Sequence, residues 1–235
     1  MELNKSSLGN EKINDKFTYV RNSLCYERIL ESMEKAEFVK VNGEEFYCKK
    51  EIAAEGQCIE KTLIQAPKEE EINFVTMARL SPEKNQENLI KAFAKLHEKK
   101  KNIKLFILGD GPLKENLEQT IVECQVEGSV ILTGNLTYPF PLIKKCDCFI
   151  LPSNYEGQPM VLLEARVLEI PMVISNFYTA KDSFIENGQY VIKTSVEGIY
   201  KGMDAFIEGK VPEYHFEPLK YNQEVYKEFE RLFEE

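Results

Sequence analysis

From Asn73 onward the chain alternates short apolar runs with segments of helical periodicity, and this alternation limits the possible folds more than any other feature. The runs are NFVTMA (73–78), IKLFILG (103–109), SVILTG (129–134), CDCFILP (146–152), PMVIS (171–175) and GQYVI (188–192). All are of strand length and almost continuously hydrophobic, so both faces must be covered, as in a parallel sheet wrapped by helices. Between them, Leu89, Ile90, Phe93 and Leu96 share one helical face, and Leu113, Leu117, Ile121 and Cys124 share another. Further helices are expected from Pro159 to Leu168, near 195–208 and near 222–234. The pattern predicts an α/β fold with an open, doubly wound parallel sheet, whose ligands sit at the carboxyl ends of the strands.

The first 72 residues follow another pattern and are expected to form a lead-in, a helix and a small antiparallel β appendage (1–72) before the main domain (73–235). NSLCYERILESMEKA reads as a loop entering a helix. In FVKVNGEEFYCKK the Asn42-Gly43 pair between two alternating runs is a hairpin signal. QCIEKTLIQAP adds a third strand, and the run Lys68-Glu69-Glu70-Glu71 marks a solvated connector.

Composition excludes several classes. A net charge of −9 argues against a nucleic-acid backbone as partner. It leaves room for a small anion held by local lysines and helix N-termini. No run approaches the roughly 20 apolar residues of a spanning helix. The polar start MELNKSSLGNEKINDK has no apolar signal core, so the expected location is the cytoplasm. Cys146-Asp147-Cys148 lacks the second pair and the histidines of a zinc site, so no metal is expected and the thiols read as reduced and buried.

Chemistry concentrates in four places. SNYEGQPMVLLEA (153–165) sets Glu156 in a loop directly after a buried strand. Gly157 permits close backbone approach, and Gln158 leads to Pro159, which suits a first helical position. The amides of Met160, Val161 and Leu162 would then be free at a helix N-terminus that attracts phosphate. Glu164 lies further along that helix, placed to touch a different part of an extended ligand; carboxylates accept sugar hydroxyls well. In ARLSPEKN (78–85), Arg79 and Lys84 bracket a Ser81-Pro82 turn, and two cations suit a diphosphate. Gly109-Asp110-Gly111-Pro112 resembles a phosphate loop without the Walker lysine. Gly134-Asn135-Leu136 offers backbone groups to a base.

Taken in order, ARLSPEKN, LIKAF, LFILGDGPL, VILTGN, CDCFILPSNYEGQPMVLLEA and IPMVIS resemble the C-terminal, Rossmann-like domain of the GT-B retaining glycosyltransferases of the group 1 family, over about 120 residues. Glu156 and Glu164 match that family's E-x7-E signature. The resemblance implies one half of a GT-B fold that binds a nucleotide sugar, UDP being the expected nucleotide, with no metal or other cofactor. By the same resemblance Arg79 and Lys84 hold the donor diphosphate, Glu156 contacts the donor sugar, Glu164 takes the ribose hydroxyls, and amides from Gly157 to Leu162 line sugar and phosphates; Gly109, Gly111 and Asn135 complete the donor site. The resemblance makes Glu156, Arg79 and Lys84 the expected catalytic residues.

The variant SNYEGQPMVLLEA is similar to the poly(glycerol-phosphate) α-glucosyltransferases of teichoic acid metabolism, which implies a cell-wall polymer or lipid-linked acceptor. That acceptor would be bound by an N-terminal domain that this chain lacks, in an enzyme that can work at the inner face of the membrane. The chain alone is then expected to be inactive. Glu169 stands where the family has a helix-ending glycine, Arg166 occupies a usually small site, and NFYTAKD lacks the usual glycine-rich turn. Two rival readings are a non-catalytic interaction module of a larger wall-polymer enzyme and a nucleotide-sugar epimerase. His97 is expected at a surface or boundary, and His215 in a C-terminal loop.

Overall fold

A computed structural model describes residues 21–52, 58–177 and 189–233. The polar lead-in, most of the NFYTAKD turn and the last two residues lie outside the described residues. The chain divides into two compact units, Cys25–Phe216 and a smaller one of Met1–Leu24 with Glu217–Glu235.

The larger unit begins with α1 (Tyr26–Lys35) and the strands β1 (Phe38–Val41), β2 (Glu44–Ile52) and β3 (Cys58–Gln65). These form an antiparallel sheet in the order β1-β2-β3. Its first turn is the expected one: Asn42 and Gly43 both take positive φ, 52° and 87°, as a tight hairpin turn of this twist requires. The main sheet consists of β4 (Ile72–Met77), β5 (Ile103–Leu108), β6 (Val130–Gly134), β7 (Cys148–Leu151), β8 (Met172–Ser175) and β9 (Gln189–Ile192). It is parallel throughout, in the order β6-β5-β4-β7-β8-β9. All six expected strands are present, with each end within two residues of the expected one.

The helices α2 (Gln86–Lys99), α3 (Lys114–Glu123), α4 (Phe140–Lys144), α5 (Met160–Val167) and α6 (Val196–Ile207) connect or flank these strands. One face of the sheet gives Phe74, Leu105, Ile107, Cys148, Ile150 and Val173 to a cluster closed by Leu89, Ile90 and Phe93 of α2 and Ile199 and Met203 of α6. The intervening residues Val75, Phe106, Phe149, Met172 and Ile174 point the other way and are equally buried. Alternation is invisible in the sequence because both faces are core. Each such side chain stabilises the fold by roughly 1.5–3 kcal/mol through its removal from water.

Asp147 explains the Cys-x-Cys motif. Its carboxylate accepts the amide of Asn73 at 2.7 Å, while its own amide donates to the Asn73 carbonyl at 2.8 Å, fixing the start of β4 against β7. Cys146 and Cys148 flank it as buried thiols whose pKa burial pushes up.

In the smaller unit, α7 (Pro218–Glu230) carries Asn222, whose amide group brackets Leu24 by accepting its N–H and donating to its carbonyl, both at 2.8 Å. Arg21 pairs with Glu228 at 2.5 Å and lies over the Tyr221 ring.

The helix end noted in the sequence is now specific. Glu169 adopts φ 54°, the left-handed conformation that glycine takes without a Cβ penalty. Its amide bonds the Arg166 carbonyl at 2.9 Å, and its exposed carboxylate reaches His215 Nδ1 at 2.9 Å, a contact of little energetic weight. Glu169→Gly is therefore expected to raise the unfolding free energy by about 1 kcal/mol in urea denaturation. An unchanged or lower midpoint would show that the strain is relieved elsewhere.

Candidate functional site

The strand order brings the site together. Chain direction places β5 and β6 on one side of β4, and β7, β8 and β9 on the other. The order reverses between β4 and β7, and in an open α/β sheet that is the point at which ligands bind, at the carboxyl ends of the strands. Those loops are 78–85 and 152–159, the two richest clusters in the sequence.

The first loop is held at both ends. After Ser81, Pro82 opens a single 3-10 turn, Pro82–Lys84. Asn85 follows in the left-handed conformation, φ 61° and ψ 29°, which asparagine tolerates better than most residues. Its side-chain amide donates to the Pro152 carbonyl at 3.0 Å and the Thr194 carbonyl at 2.8 Å, tying the turn to the ends of β7 and β9. The amide of Asn154 donates to the Glu83 carbonyl at 2.8 Å, and Gln86 donates to the Arg79 carbonyl at 2.9 Å. The two loops are thus stitched through backbone groups.

Across this seam Lys84 Nζ meets both oxygens of Glu156, at 2.9 and 2.8 Å. The Glu156 side chain is 8% exposed and that of Lys84 20%. The fully buried Ser153 also donates to Glu156, at 2.7 Å. A carboxylate this far from water requires a cation and donors, since its desolvation costs several kcal/mol. This edge of the sheet thus presents an anchored carboxylate and a cation on a movable four-carbon arm. Arg79, at the loop's other end, is exposed and lies in the field of Glu83.

The second loop differs in detail from the sequence expectation. Pro159 is the N-cap of α5 rather than its first residue, and Leu162 donates to the Pro159 carbonyl at 3.0 Å. The Leu162 amide is therefore occupied, and the amides of Met160 and Val161, which precede the first helical bond, have no backbone acceptor among the described residues. Gly157 and Gln158 lead into this turn. A Cβ on Gly157 would meet nothing within 4 Å, so packing places no demand for glycine there and the space beside it is open.

Gly109 and Gly111 have a structural reason to be glycine. A Cβ would lie 2.0 Å from the Ala78 carbonyl oxygen at Gly109, and 2.4 Å from that of Leu80 at Gly111. The loop after β5 lies directly on the loop after β4, with Leu80 and Asp110 bonded through their backbones at 3.0 Å. These glycines support the first cation loop from behind. Asn135 is exposed just beyond β6, after Gly134 at φ 66°.

Glu164 does not join the Lys84 pair. Its side chain, 12% exposed, is met by Arg28 of α1, a contact that sequence reading missed because the partner lies 136 residues away. Burial pushes the Glu164 carboxyl above the ordinary range, and Arg28 opposes that rise. His97 stacks on Phe93 and meets Ser129 at 3.2 Å; burial lowers its pKa. Among the described residues no group of three or more His, Cys, Asp or Glu is placed to hold a metal ion.

Two outcomes follow from these pairs. Lys84→Ala leaves Glu156 buried without its cation and is expected to cost about 2 kcal/mol or more. Combining it with Glu156→Gln should cost less than the sum, by about 1 kcal/mol or more in a double-mutant cycle, whereas simple additivity would mean that the pair carries no coupling.

For Glu164 the raised carboxyl binds its proton more readily when folded than when unfolded. It therefore contributes stability that is complete below the unfolded pKa and lost as pH rises through the folded one. Relative to the wild type, Glu164→Gln should gain stability as pH goes from about 4 to about 7; a flat difference would contradict the assigned shift.

Comparison with known proteins places this geometry. Residues 60–224 match the model of the family described as glycosyl transferases group 1. An uncharacterized glycosyltransferase of Methanocaldococcus jannaschii, MJ1059, is 37% identical over 106 residues, 45% of this chain and 26% of that protein. A Campylobacter jejuni N-acetylgalactosaminyltransferase acting on a diphospho-undecaprenol-linked sugar is 28% identical over 138 residues, 57% of this chain and 37% of that protein.

Among solved structures, a mutant of S. aureus TarM in complex with UDP superposes with a TM-score of 0.59 at 22% identity, covering 73% of this chain and 38% of that one. Anabaena HepE in complex with UDP and glucose gives a TM-score of 0.59 at 20% identity, covering 68% and 48%. At those identities the likeness is one of fold. The chain spans only about a quarter to under a half of the length of the curated relatives it matches. With the family model matched over well over half of its length, the chain belongs to the glycosyl transferases group 1 family.

Proposed function

We propose that this chain is the nucleotide-sugar-binding half of a retaining glycosyltransferase, with UDP as the nucleotide, and that transfer requires a second, acceptor-binding domain. The observation that carries this reading is the Lys84–Glu156 pair at the reversal of strand order, beside the N-terminal turn of α5. A diphosphate offers Lys84 a more highly charged partner than a single carboxylate. Arg79 and the amides of Met160 and Val161 add positive potential at the same crevice. Glu156, with Ser153 behind it, then accepts hydrogen bonds from sugar hydroxyls, while Glu164 serves the ribose.

In transfer the bond from the anomeric carbon to the diphosphate oxygen breaks, and the electron pair leaves with the diphosphate. An acceptor hydroxyl forms the new bond, its proton passing to the departing oxygen. Negative charge grows on the leaving group, so cations and amides fixed beforehand stabilise the transition state more than the ground state. The amino-sugar and lipid-linked substrates in the relatives' names, together with the loop variant SNYEGQPMVLLEA, support a cell-surface polymer such as teichoic acid or a lipid-linked glycan as acceptor. No helix among the described residues is long and apolar enough to cross a membrane. We place the whole enzyme in the cytoplasm, at the inner face of the membrane where such acceptors are presented.

Calorimetry with UDP and UDP-glucose tests the donor half directly. Wild type is expected to bind, and Lys84→Ala, Arg79→Ala and Glu164→Ala each to weaken UDP by about tenfold or more. No heat of binding at millimolar nucleotide, or indifference to all three substitutions, would overturn the reading.

A further inference from the structure

The donor reading leaves one side chain unexplained. Arg28 belongs to α1, ahead of both sheets, yet its guanidinium donates to Glu164 Oε1 on α5 and lies 5.4 Å from the centroid of the Phe140 ring on α4. Three elements distant in sequence meet at one guanidinium. Arg28 engages one oxygen of Glu164; among the described residues the other oxygen has no hydrogen bond.

Arg28 also lines a cavity of about 290 Å³, together with Ser32 one turn along α1, Met77 at the end of β4, Leu136 beyond β6, and Phe140. Glu31, Thr137, Tyr138 and Pro139 complete the lining, so polar and apolar groups contribute about equally. Ser32 is 3% exposed, and its buried hydroxyl finds no hydrogen-bond partner among the described residues. A buried hydroxyl left unpaired costs free energy, so one that borders a cavity marks a place where a ligand can complete it. The volume, about 290 Å³, lies just below the usual range for small-molecule sites, about 300 Å³ upward, and is large enough for a single ring system. Aromatic and aliphatic groups from Phe140, Leu136 and Met77 beside the polar Arg28, Ser32 and Thr137 suit a ring compound with polar edges.

Resting on the donor reading above, we propose that Arg28 is a positioning residue for nucleoside recognition: it holds one oxygen of Glu164 and leaves the other for a ribose hydroxyl of a nucleoside diphosphate whose base enters the adjoining cavity. Arg28 makes Glu164 selective for ribose over deoxyribose. A plain surface ion pair would need neither the aromatic plate nor the burial of its carboxylate. The planar guanidinium can stack on Phe140 and donate in its own plane at once, which an ammonium group cannot do.

The test compares UDP with its 2′-deoxy and 3′-deoxy analogues by calorimetry. Wild type should prefer UDP over at least one analogue by about tenfold, the worth of a hydrogen bond to a charged acceptor. Arg28→Ala should reduce that preference to about twofold or less, with the loss falling on UDP, and Arg28→Lys should restore part of it. Glu27→Ala, an exposed neighbour on α1, should leave the preference intact, and thermal melts confirm that each variant is folded.

If wild type binds UDP with a preference that Glu164→Gln abolishes but Arg28→Ala does not, the role of Arg28 is overturned while the donor reading stands. If wild type binds none of the nucleotides, both fall.

Discussion

The parallel pairing of β4 with β7 is the constraint on which the rest of the molecule depends. Parallel neighbours cannot be joined by a tight turn; here the chain leaves β4, builds β5 and β6 on one flank through helical crossovers, and returns to the other flank for β7. The return leaves the two central strands ending side by side, with their loops joined by the Asn154–Glu83 backbone bond and the Lys84–Glu156 pair. Asp147 makes that return exact in register, since its carboxylate and amide both engage Asn73. Everything chemically notable beyond the strands, from the Pro82 turn to the α5 N-terminus, is a consequence of two loops emerging at one edge.

On that edge the charges are organised in two separate pairs, Lys84 with Glu156 and Arg28 with Glu164. Each carboxylate is mostly buried and each cation more exposed. This asymmetry suits a ligand site: the acceptors are preorganised, and the cations can shift toward an arriving anion without burying new charge. Buried pairs of this kind contribute little net stability compared with apolar packing, because desolvation offsets the attraction.

Much of the fold was legible because strands buried on both faces leave continuous apolar runs, and helices of ten or more residues leave a clear period. The five-residue α4 left no such trace, and Pro139 and Pro141 gave its sequence the look of a loop. Lys84 and Glu156 could be singled out because each follows a strand closely. Their pairing could not, since it depends on strand order.

Arg28 was hidden for the same reason at greater range, on a helix that precedes both sheets. Gly109 and Gly111 carry a packing role that the sequence alone does not separate from phosphate binding. A glycine required by backbone contact with Ala78 or Leu80 looks the same in a sequence as one kept clear for phosphate. Leu162 was misassigned because moving the helix start by one residue, from Pro159 to Met160, consumes one more amide.

Asn85 has a consequence for how the crevice can respond to a ligand. Both hydrogens of one amide are engaged by carbonyls at the ends of two different strands, so the turn that carries Lys84 cannot swing without breaking two bonds at once. Adjustment is confined to the rotamers of the lysine itself, at an entropic cost of about 0.5–1.5 kcal/mol for one ordered side chain. The backbone behaves as a fixed mount with a single flexible arm, and association there should resemble a key entering a nearly finished lock more than a loop folding over its guest.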